Sequence, residues 1–150
     1  MSGDALALRK CPTCGHVDTS SDDGLPSLLP YRPWHVRGRA QVKAYVATLP
    51  LETREWLLAM FVDQDLNLLA VDTVGRGDIA ACRVPFAKIL CRGHALKASG
   101  FILVHNHPIG DPTPSTADIE MTRRLRWTSE ELDMPLLDHF VIAGDEMTRV

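Results

Sequence analysis

At 150 residues, 45% of them hydrophobic and 23% charged, the chain is long enough for one domain with a sizeable core and has the composition of a soluble globular protein. A formal net charge of −3 argues against a broad basic footprint for nucleic acid, and no apolar stretch is long enough to span a bilayer. Arg123, Arg124 and Arg126 form a small basic patch that reads as a solvated helix face. The N-terminus lacks the basic, apolar and cleavage regions of a signal peptide, so a cytoplasmic protein is expected.

In chain order, residues 1–36 read as a poorly ordered extension, because SSDDG and the prolines at 26, 30 and 33 break any long period. Within it Cys11 and Cys14 form a lone CxxC, half of a zinc-ribbon signature without its second half. Cys82 and Cys91 lie far along the chain and read as small buried residues in a reducing compartment. A core domain over 37–150 then opens with a short helix over 38–49, ended by Pro50. Glu52 and Glu55 precede an apolar run, Trp56–Val62, that reads as a central strand. After the polar turn DQDLN, residues 68–74 supply a second strand and a plausible hairpin.

Pro85 opens a helix predicted over 85–98, with Phe86, Ile89, Leu90 and Leu96 on its apolar face and Gly100 as its stop. Gly93 weakens that helix by about 1 kcal/mol relative to alanine, so packing must hold it. Residues 101–104 are a buried strand that runs into His105 and His107. Ser115 then looks like the N-cap of a helix reaching about Leu132, and Leu136–Ala143 reads as a last strand. The order of elements gives an α/β (α+β) fold, a mixed sheet with helices on its faces.

The stretch VHNHPIGDPTPSTAD carries the chemistry. Side chains two apart on a strand share a face, so His105 and His107 can reach one ion. Pro108, Gly110, Pro112 and Pro114 turn the chain back, and a cap at Ser115 puts Asp118 in the first helical turn, where its carboxylate can face both histidines. Two neutral nitrogens and one carboxylate give zinc three protein ligands and an open position for water, the pattern of a catalytic site. Taken singly, Ser115 and Asp118 would be an ordinary cap with a dipole-favoured acid.

HxHP, six residues and then SxxD is similar to the JAMM motif of MPN-domain metalloproteins. HNHPIGDPTPSTADIEMTRRL and LLDHFVIAG resemble the bacterial RadC-like branch of that superfamily, over residues 37–144. The resemblance implies the MPN (JAB) fold, related to the cytidine-deaminase-like architecture. It also implies one Zn2+ per chain on His105, His107 and Asp118, and a glutamate ahead of the first strand that reaches the metal's water. Glu55 matches that offset better than Glu52. A DH pair recurs in the family near Asp138 and His139, which makes both candidates for supporting the site. Family members usually carry an N-terminal helix-hairpin-helix domain, and no stretch of that kind is present here.

The activity implied is zinc-dependent cleavage of peptide or isopeptide bonds. Zinc lowers the pKa of coordinated water to roughly 7, Glu55 moves the proton to the leaving amine, and Ser115 either stabilises the oxyanion or only caps its helix. The substrate is then a peptide or protein, with direct nucleic-acid binding and membrane association not expected, and self-association compatible with the reading. Two other classes are consistent with the resemblance, a DNA-repair or nucleic-acid-processing role and a non-catalytic partner-binding module. The letters HNH at 105–107 support a nuclease weakly, because nuclease HNH motifs are spread over a hairpin and helix and these three residues are consecutive.

Overall fold

A computed structural model describes residues 34–49, 53–77 and 84–150. The CxxC, Cys82, Pro50 and Glu52 lie outside them. The elements run α1 (Arg39–Val46), β1 (Trp56–Val62), β2 (Leu68–Arg76), α2 (Phe86–Ala95), β3 (Gly100–Asn106), α3 (Thr116–Glu131), β4 (Leu136–Ala143) and β5 (Glu146–Arg149). The strands form one sheet in the order β2-β1-β3-β4-β5, antiparallel except for β3 beside β4. The fold is the expected mixed sheet with helices on its faces.

β1 lies between two partners and under helices on both sides, which is why all seven of its residues are apolar and buried. Its even-numbered residues Leu58, Met60 and Val62 pack with Val42, Tyr45 and Val46 of α1. The odd-numbered Leu57, Ala59 and Phe61 pack on the opposite face with Ile89 and Leu90 of α2 and Leu125 of α3. Trp34 and Val36, N-terminal to the boundary drawn at Arg37, already pack on the α1 side. Trp34 meets Tyr45 edge-on at 5.3 Å, and His35 bridges Asn67.

Two readings of the α2 region are corrected. The helix stops at Ala95 and turns out through Lys97, whose φ is 55°, so Gly100 is not its stop but the first residue of β3. A Cβ on Gly100 would stand 2.9 Å from the Pro135 carbonyl, so glycine is needed there for β4 to approach. A Cβ on Gly93 would stand 2.8 Å from the Met134 sulfur, so glycine there lets that side chain pack against α2. Cys91 is half-buried and disulfide-bonded, not the reduced core thiol expected. β5 was not anticipated. Gly144, with φ of 56°, begins the tight turn that folds it back on β4.

β3, α3 and β4 form a parallel strand–helix–strand unit, so the C-terminal end of β3 and the first turn of α3 sit together. Among the described residues no helix is long and apolar enough to cross a membrane.

Candidate metal centre

His105 is on the same face of β3 as Phe101 and Leu103, the face covered by α3, and is fully buried. His107 lies one residue past the strand, its amide held by the Ile142 carbonyl at 2.8 Å. The loop that follows turns through Gly110, at φ 51°, and through an Asp111 side chain that accepts from the Thr113 amide at 2.9 Å. This turn sets the Asp111 carbonyl 2.8 Å from His107 Nδ1. A carbonyl only accepts, so His107 carries its proton on Nδ1 and, when neutral, presents a bare Nε2.

Ser115 caps α3 as the sequence suggests, and Asp118 is the third residue of the helix. The Asp118 amide donates to Ser115 Oγ at 3.1 Å, while Asp118 Oδ2 accepts from the Ser115 amide at 2.7 Å and from its hydroxyl at 2.6 Å. That box aims the carboxylate at the histidines. His105 Nε2 is 3.2 Å from Oδ1, His107 Nε2 is 3.4 Å from Oδ2, and the two Nε2 atoms are 3.0 Å apart. Burial alone would raise the Asp118 pKa, but the hydrogen bonds from His105 and Ser115 and the nearby His105 charge hold it far below the usual carboxylate range.

Glu55 stands half-buried just before β1, and its carbonyl accepts from the Gly77 amide at 2.9 Å. Glu55, His105 and His107 each offer a ligand atom, all within 4.8 Å of one another, and can hold a metal ion. Two carboxylates thus face the same histidine pair, Glu55 and Asp118. Imidazole and carboxylate donors of this kind suit a divalent transition metal, and the bare Nε2 of His107 fits that role.

The residues 36–149 match the family model of the RadC-like JAB domain. The chain belongs to that family. A UPF0758 protein of Rhodobacter capsulatus is 43% identical over 95 residues, a match covering 63% of this chain and 44% of that relative. The match therefore spans less than half of the relative's length.

Two residues of this RadC-like JAB domain, Asn106 and Thr122, have site-linked positions that the sequence did not disclose, and His139, a candidate through the DH pair, lies beside Thr122. Asn106, between the histidines, accepts from the Trp56 amide at 2.7 Å and donates to the Arg54 carbonyl at 3.0 Å, so it clamps the backbone on both sides of Glu55. Of the DH pair, Asp138 turns away to accept from Arg149 at 2.6 Å, while His139 lies fully buried behind His105, 2.8 Å from its Nδ1. Burial and the neighbouring His105 push the His139 pKa down to about 3. Thr122 stands 2.6 Å from the other nitrogen of His139. The four-residue step from Asp118 to Thr122 puts both on one helix face, a signal present in the sequence. No spacing rule connects either residue to position 139.

Proposed function

We propose that this RadC-like JAB domain is a zinc-dependent hydrolase of peptide or isopeptide bonds, with His105, His107 and Asp118 as the metal's protein ligands. The observation that carries the reading is the meeting of two imidazole Nε2 atoms and one carboxylate within 3.0–3.4 Å. Zinc in that position would acidify water and polarise a carbonyl. Asp118 is assigned as the ligand because its oxygens stand 3.2 and 3.4 Å from the two nitrogens and the cap orients it. Glu55 is left as the acid–base group, able to take a proton and return it to the leaving amine. Ser115 caps α3 and steadies Asp118, and an oxyanion contact would require its proton to leave Oδ2.

The test uses the purified full chain. Metal analysis is expected to find about one zinc per protein, lost in His105→Ala and Asp118→Ala. Screening of peptides and isopeptide-linked proteins should then find substrates cut by the wild type and, in Glu55→Gln with zinc retained, cut roughly 100-fold more slowly or worse. Zinc that survives His105→Ala, or equal cleavage by Glu55→Gln, would overturn the assignment.

A further inference from the structure

The β1–β3 ladder runs out where the site begins. Its last backbone pair sets Leu57 opposite His105, and the same register carried one step further would set Trp56 opposite Asn106. There the Asn106 side chain takes the place of the next rung. Its Oδ1 accepts from the Trp56 amide at 2.7 Å, and its Nδ2 donates to the Arg54 carbonyl at 3.0 Å. A carboxamide has the donor and the acceptor of a peptide group, so one side chain can meet both.

Glu55 lies between the two held groups. The Arg54 carbonyl belongs to the peptide unit before its Cα, and the Trp56 amide belongs to the peptide unit after it. That second unit is held from its other side as well, where the Glu55 carbonyl accepts from the Gly77 amide at 2.9 Å. Peptide units are planar, so fixing the pair that meet at one Cα fixes its φ and ψ, and with them the direction in which the side chain leaves the backbone. β1 starts only at Trp56, so Glu55 stands outside the strand and depends on these contacts for its orientation. Asn106 ends β3 between His105 and His107, which ties the glutamate to the segment that carries both imidazoles. The ligand atoms of those three residues lie within 4.8 Å of one another.

We propose that Asn106 is a positioning residue, whose carboxamide fixes the two peptide units flanking Glu55 and so holds the Glu55 carboxylate against the histidine pair. Its effect on catalysis rests on the hydrolase reading above, whereas the placement of Glu55 needs neither metal nor substrate. A displacement of about 1 Å in a reacting group costs roughly 100-fold in rate, so the clamp matters even if the sheet survives its loss.

The experiment compares full-length wild type, Asn106→Ala and Asn106→Asp. In metal-free crystal structures the Glu55 carboxylate is expected at one position in the wild type and displaced or spread over several in Asn106→Ala, with His105 and His107 unmoved. Peptide cleavage with zinc bound should fall roughly 100-fold in kcat while KM and zinc content stay at the wild-type level. Added to Glu55→Gln, the same substitution should cost nothing further, because a residue that acts through Glu55 has no effect once that carboxylate is gone. Asn106→Asp keeps the acceptor for the Trp56 amide, loses the donor to the Arg54 carbonyl and should fall between the two, which keeps the test open if Asn106→Ala does not fold. Glu55 at its wild-type position in both variants, or an equal further loss in the Glu55→Gln background, would overturn the proposal. Should the wild type cut no peptide, the hydrolase reading fails, and the crystal structures still decide the clamp.

Discussion

The two faces of the sheet are built by different rules. On the α1 face the buried residues are hydrocarbon and aromatic side chains, such as Val42, Leu58, Met60 and Phe140. On the α3 face the same kind of packing, with Phe61, Phe101 and Leu103, is interrupted by polar groups that are also buried: His105, Asp118, Thr122, Ser129 and His139. Buried polar groups cost stability unless each finds a partner, and here each does. Ser129 ties the end of α3 to β4 through the Leu136 amide at 3.1 Å, and the other four belong to one connected network around the proposed metal centre. One face supplies cohesion and the other supplies chemistry on a polar framework.

The largest expected effect tests whether the faces are separable. Leu58→Ala, at a fully buried position on the α1 face, should destabilise the fold by about 2–5 kcal/mol in urea unfolding and leave zinc affinity unchanged under native conditions. A parallel loss of zinc affinity would show that the two faces are coupled through the sheet.

The next concerns pH and belongs to the α3 face alone. The unfolded chain takes up a proton at position 139 below pH 6.5, whereas the folded protein resists doing so until about pH 3. Stability of the metal-free protein should therefore fall as pH drops through that window, by up to about 1.4 kcal/mol per pH unit from this group. Asp118 acts in the same direction at lower pH, because its folded pKa lies below the ordinary aspartate value of 3.8, so its contribution is present above that value and lost on acidification. Unfolding midpoints at pH 7.5, 6 and 5 should show the decline, and His139→Gln should flatten it. An equally steep decline in that variant would remove His139 as its source.

The smallest effect is at the helix start. Ser115→Ala should cost about 1 kcal/mol as a lost cap, with zinc retained and cleavage within a few-fold of wild type. A fall of about 100-fold with zinc still bound would instead assign the hydroxyl to the oxyanion.

Much of this was legible from the chain alone because it depends on local rules. The uninterrupted apolar run Trp56–Val62 could only be a strand covered on both faces, and Ser115 with Asp118 three residues on defined the start of α3. The alternation along β3 and the turning loop after Pro108 are enough to put His105, His107 and Asp118 within reach of one another. The end of α2 was misread because Gly100 answers to the Pro135 carbonyl across the sheet, a contact between segments far apart in sequence. Asn106 also looked like the middle letter of a nuclease motif, and its role as a clamp on the start of β1 emerged only when β3 was laid beside that strand.

What the sequence by itself determined is therefore the set of elements and the types of donor at the site, since periodicity, caps and turns act within a few residues. Only the tertiary structure decided that β4 runs parallel beside β3, which places His139 behind His105 and within 2.6 Å of Thr122. The protonated nitrogen of a histidine follows from what its other nitrogen touches, and that neighbour is set by strand order and helix packing.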